Sequence, residues 1–139
     1  MLSNTEAFLK RYAQAFEQND AALAASYCLL PTVIMSDESK IVFDKFDDLT
    51  CTFQRLIDIL NNAGVVKLLP QISQTIRLSA TLMFINMRWQ FYDKNNDLCF
   101  TCAASYTLQK KDNDDLKIIV TVIDDNENAL EKLFQKDHK

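Results

Sequence analysis

The 139-residue chain is 48% hydrophobic and 24% charged, the make-up of a single globular domain over residues 1–139. No apolar run approaches the ~20 residues needed to span a bilayer, and "MLSNTEAFLK" lacks the basic-then-apolar order of a secretion signal, so a cytoplasmic protein is expected. A net charge of −4, with no basic stripe to neutralise phosphates, argues against nucleic acid as a partner.

The first predicted element is a helix. Ser3 and Glu6, three apart, form a capping box, and Phe8, Leu9, Tyr12, Ala15 and Phe16 then recur at the spacing of one buried stripe. Asn19-Asp20 breaks it, and Asp20 is placed to cap a short second helix through Leu23, Ala24 and Tyr27 that ends at Pro31. "TVIMS" and "IVF", joined by the polar "DESK", predict a hairpin over roughly 32–43. Asp44 is expected to cap a long helix with a stripe of Phe46, Leu49, Phe53, Leu56, Ile57 and Leu60. Gly64, the only glycine, falls just past its end, where a left-handed residue is wanted.

From Val66 to Asp124 the chain reads as strand. A residue and its cross-strand partner share a face, so pairing can be tested for consistency. About the turn "DKNN", Phe91 is expected opposite Leu98, Trp89 opposite Phe100, Met87 opposite Cys102, Ile85 opposite Ala104 and Met83 opposite Tyr106. About Ser79-Ala80, Ile76 is expected opposite Met83 and Gln74 opposite Ile85. Leu116, Ile118, Val120 and Val122 complete this inner face, and Asp124 closes it. The outer face takes Leu82, Phe84, Asn86, Arg88 and Gln90 from one strand, and Cys99, Thr101, Ala103, Ser105 and Thr107 from the next. Its apolar members predict a homodimer contact.

The same parity decides the CxxC of "LCFTCAASYTL". Residues three apart on a strand point to opposite faces, so Cys99 and Cys102 cannot chelate one metal, and no helix N-terminus is at hand to activate a thiol. With no second CxxC, and a single histidine (His138) beside the end, no metal site is expected. "DNDD" at 112–115 lacks the glycine and closing glutamate of a calcium loop and reads as a hairpin tip.

Helix, short helix, hairpin, long helix and a long meander together resemble the NTF2-like superfamily, which includes SnoaL-like proteins and ketosteroid isomerases. The likeness is carried by "FLKRYAQAFEQNDAALAASY" with "PTVIMSD" at the front and "MRWQFYDKNNDLCFTCAASYTLQKKDNDDLKIIVTVIDD" behind. The resemblance implies an α+β cone, with helices packed on a curved antiparallel sheet around an apolar pocket, and often a dimer. It also implies a test. Isomerases of this kind set a helix tyrosine and a protonated strand aspartate against a hairpin carboxylate base. Tyr12 matches the tyrosine, whereas the base position falls near Met35, with Asp37 two residues on, and the acid position falls at Ala104.

The leading expectation is thus a cofactor-free, small-molecule-binding or interaction protein. Its apolar pocket would be lined by Tyr12, Tyr27, Met35, Phe53, Gln74, Met87, Trp89, Cys102, Tyr106 and Val120. The alternatives are a SnoaL-like acid/base enzyme using Tyr12, Asp37 or Asp124, and an association module whose pocket is filled by its own side chains. "NENALEKLFQK" near the end predicts a further helix.

Overall fold

Helix α1, Asn4–Glu17, forms because its apolar residues lie on one stripe: Phe8, Leu9, Tyr12, Ala15 and Phe16 are all buried. Asn19, at φ 59°, stops it. Asp20 then caps α2, Ala21–Ser26, its carboxylate accepting from the Leu23 amide at 3.0 Å. The computed structural model describes residues 4–112 and 115–124, so the Ser3 cap, His138, part of "DNDD" and the C-terminal "NENALEKLFQK" lie outside the described residues.

The hairpin is present but begins earlier than expected. Strand β1 spans Cys28–Met35 and pairs with β2, Lys40–Phe43. Pro31 therefore lies inside a strand instead of ending the helical segment, and β1 meets β6 with a register shift between Cys28 and Val33, where proline offers no ladder donor. Helix α3, Phe46–Asn62, has Lys45 and not Asp44 at its N-cap, with no side-chain cap bond. Its stripe buries Leu49, Phe53, Ile57 and Leu60, while Phe46 is exposed. Gly64 sits at φ +83° just past the end, as its position predicts.

The meander is β3 (Val65–Arg77), β4 (Leu82–Asp93), β5 (Leu98–Lys110) and β6 (Leu116–Asp124). The sheet order is β2-β1-β6-β5-β4-β3, a curved and unclosed sheet whose inner face carries the helices, the α+β arrangement expected. On β4, and on β5 from Phe100 onward, the inner and outer sets are those read from alternation, but the partners differ by two residues. Phe91 faces Phe100, Trp89 faces Cys102, Met87 faces Ala104 and Ile85 faces Tyr106. A bulge leaves Cys99 without a partner in the ladder, so from Phe100 onward faces survive while pairs slide. Leu98, expected inward opposite Phe91, instead faces Tyr92 on the outer side and is exposed.

Two other irregularities do change faces. The β3–β4 loop is wider than a two-residue turn, its Ser79 hydroxyl accepting from the amides of Thr81 and Leu82. Near that loop Ile76 faces Phe84 and Gln74 faces Asn86, which puts both on the outer side. A second bulge at Ser73 restores parity, so Ile72 faces Met87 on the inner side. On β6, Ile118 faces Leu108 but Val120 faces Thr107, leaving Ile119 as the extra residue. Beyond it Thr121 and Ile123 point inward, and Val120, Val122 and Asp124 point outward.

Candidate functional site

The inner face gathers its aromatic residues around Tyr12. That ring lies 5.1 Å from Phe16 and 6.2 Å from each of Tyr27, Phe53 and Tyr106, nearly all edge-on. Edge-to-face contacts of this length are the favoured geometry for quadrupolar rings. α1 supplies Tyr12 and Phe16, α3 supplies Phe53, the end of α2 supplies Tyr27, and β5 supplies Tyr106.

One hydrogen bond organises the sheet side of the cluster. The Trp89 indole N–H donates to the Tyr106 hydroxyl at 2.8 Å, and both residues are buried. Trp89 stands in the row of Cys102 and Tyr106 in the row of Ile85, with the Met87–Ala104 row between them. Ala104 carries only a methyl group, which leaves the indole and the phenol room to meet over it. Since Tyr106 accepts from Trp89, its own proton is left to donate. Neither that proton nor the Tyr12 hydroxyl has an acceptor among the described residues.

Burial sets the electrostatics. It pushes the Tyr12 phenol well above its ordinary value, with added repulsion from Cys28 and Tyr106 nearby. Tyr106 is raised for the same reason, against a smaller opposing effect of the Trp89 bond. The Cys28 thiol is pushed up to about 12 by burial, although Lys117 favours its ionised form. All three groups are therefore neutral donors at neutral pH. The buried polar residues among those described are Thr5, Thr32 and Thr121, so no described carboxylate is buried beside the phenols.

Of the residues expected to line a pocket, Tyr12, Tyr27, Phe53, Met87, Trp89, Cys102 and Tyr106 come together on the inner face. Three do not, and two further candidates, Asp37 and Asp124, also stand apart. Met35 faces Val122 on the outer side, and the inward residue of that hairpin is Ile34. Gln74 and Val120 are turned outward by the loop and the β6 bulge. Asp124 stands exposed opposite Ala103, and Asp37 is exposed in the β1–β2 turn. Ala104 is inward and buried. Alternation missed Cys28, which belongs to a strand that starts before the predicted hairpin, and Thr121, which faces Tyr106 only because Ile119 bulges.

Cys99 is exposed and Cys102 buried, which is the separation that parity requires. Among the described residues no group of three or more histidine, cysteine or acidic side chains is placed to hold a metal. In native protein, Cys51 and Cys99 should react with an aromatic disulfide reagent within minutes. The reaction of Cys99 should be slowed, because slight burial and then Asp93 and Asp97 raise its thiol pKa. Cys28 and Cys102 should react only after denaturant is added. Four fast thiols would contradict this packing.

Three comparisons bear on this geometry. A family model described as NTF2-like protein (DUF6841) matches residues 3–126. Comparison with curated proteins returns no match. Among solved structures, the chain resembles a domain of unknown function with a cystatin-like fold from Nostoc punctiforme PCC 73102, with TM-score 0.70 and 12% identity over 96% of this chain and 82% of that one. It also resembles a ketosteroid isomerase-like protein from Erwinia carotovora atroseptica SCRI1043, with TM-score 0.62 and 16% identity over 86% of this chain and 92% of that one. A third is a protein from Xanthomonas campestris assigned as a calcium/calmodulin dependent protein kinase II association domain, with TM-score 0.64 and 13% identity over 87% of this chain and 84% of that one. At these identities the structural likeness establishes the fold alone.

Proposed function

Because the chain belongs to the NTF2-like protein family DUF6841, we propose that it is a small-molecule-binding protein whose ligand is held by paired phenols in an apolar wall. The observation that carries this reading is the pair of neutral phenols, Tyr12 and Tyr106, that meet in one aromatic cluster on the inner face, Tyr106 accepting from Trp89 and keeping its own proton to donate. Neither phenol oxygen is among the buried side-chain atoms left without a partner, so both hydroxyls are open to an acceptor on a bound molecule. The fitting ligand is apolar and carries a neutral oxygen acceptor, such as the carbonyl of a fused-ring ketone. A carboxylate is disfavoured, because the burial that keeps both phenols protonated would also penalise an anion. Acid/base catalysis is the weaker reading, since Asp37 and Asp124 lie away from the phenols.

The protein would work as a single domain in a reducing compartment such as the cytoplasm, consistent with its free cysteines. No helix among the described residues is long and apolar enough to cross a membrane. It would also pair with a second copy through the outer sheet face, where Phe84, Val33 and Val120 share one row. The solved Xanthomonas association domain is a precedent for association on this fold.

The binding reading is tested by thermal-shift screening of fused-ring ketones, with apolar carboxylates of similar size for comparison. The best ketone is then titrated into Tyr12→Phe and Tyr106→Phe. Each variant keeps its ring and loses one donor, so affinity should fall about tenfold, the worth of one ordinary hydrogen bond. Equal dissociation constants in all three proteins would make the phenols core residues and leave the association reading in place.

A further inference from the structure

The outer face carries one row whose charges are self-complementary. Arg88 on β4 pairs across to Ala103 on β5, and Ala103 pairs across to Asp124 on β6. Arg88 is half-buried and donates to the Thr101 hydroxyl at 2.8 Å, and Asp124 is exposed. Among the described residues neither has an ion-pair partner. The two stand on either side of β5, two strands apart, and Arg88 is turned to Thr101 and not to Asp124.

We propose that two copies pack outer face to outer face about a two-fold axis running along β5, so that Arg88 of each copy meets Asp124 of the other. This rests on the homodimer reading above and specifies its geometry. Rotation about an axis above β5 exchanges the positions of β4 and β6. The same operation that brings Arg88 onto Asp124 lays Phe84 on Val120, because Phe84, Thr107 and Val120 also form one row. An apolar contact and an ion pair are thus formed twice each, as an isologous interface requires. An axis along β4 would set Arg88 against Arg88, and one along β6 would set Asp124 against Asp124. Like charges in contact are penalised heavily at an interface, which favours β5 among these three axes. The residue on the axis in the charged row is Ala103, whose side chain allows close approach.

The test is a charge swap read by sedimentation of the full chain. Wild type should sediment at about twice the 16.0 kDa chain mass at micromolar concentration. Arg88→Asp and Asp124→Arg should each raise the dimer dissociation constant about tenfold or more, because each puts like charges together. The double variant Arg88→Asp/Asp124→Arg should return to within about threefold of wild type. Circular dichroism on each variant separates lost association from lost folding. Recovery in the double variant supports the β5 axis. Unchanged single variants, or a folded double variant that stays dissociated, overturn it. If Phe84→Glu splits the dimer while the charge variants do not, the pairing fails and the outer-face dimer stands. A wild-type chain that sediments as monomer overturns both.

Discussion

Replacing Trp89 with alanine should lower the unfolding free energy by about 3–5 kcal/mol, the usual cost of deleting a buried large aromatic side chain. The indole is 6% exposed, lies on β4 between Pro70 and Cys102, and is tied to Tyr106. Its loss removes ring area, leaves a cavity among close-packed neighbours and takes away the donor that Tyr106 accepts. Smaller changes separate these contributions. Tyr106→Phe keeps the ring but leaves the Trp89 N–H buried without its acceptor, which should cost about 1–3 kcal/mol. Tyr12→Phe removes a hydroxyl that makes no hydrogen bond among the described residues, so unliganded stability should hold or rise. The ordering Trp89→Ala, then Tyr106→Phe, then Tyr12→Phe is the expected result of urea denaturation followed by fluorescence and circular dichroism. A Trp89→Ala cost below about 1 kcal/mol would mean that the aromatic cluster is looser than its geometry indicates.

How far the sequence discloses such a cluster depends on contrast between the two faces of each strand. On β4 the inward Ile85, Met87, Trp89 and Phe91 alternate with Phe84, Asn86, Arg88 and Gln90, and polar neighbours make the parity visible. The β5 residues Cys102, Ala104 and Tyr106 follow from it, so most of the inner wall was legible. On β6 the run Ile118, Ile119, Val120, Thr121, Val122, Ile123 is apolar or β-branched throughout. Nothing in such a run marks where an extra residue enters, so the bulge at Ile119 and the outward turn of Val120 and Asp124 were hidden. Met35 was misplaced for a like reason, since "TVIM" is apolar on both faces. Gln74 went wrong through the loop. Leu78–Thr81 resembles a tight turn by composition, yet the serine hydroxyl stabilises a wider one and shifts the register by one residue.

These errors bear on function, because each of them moved a residue from the pocket list to the outer face. With Ile76, Val120 and Val33 added, that face becomes more apolar than alternation suggested, and Phe84 lies within its central row. If the chain pairs through this face as proposed, Phe84→Glu should convert that dimer to monomer, with the dissociation constant rising on the order of 100-fold or more. The phenyl ring would lose its seat on Val120, and a carboxylate would be trapped there without a cation, since in this geometry Arg88 stands four residues further along β4. Two-fold symmetry places the defect twice in each dimer. Folding should survive, because Phe84 points away from the aromatic core and its neighbours Ile85 and Met83 are unchanged. Lys94→Glu, in the exposed turn after β4, changes the charge in the same direction and should leave association unaffected, which controls for net charge. The measurement is sedimentation velocity across a concentration series for wild type and both variants. A Phe84→Glu chain that still sediments as a dimer would place the contact on another surface, and the exposed β3 edge would be the next surface to vary.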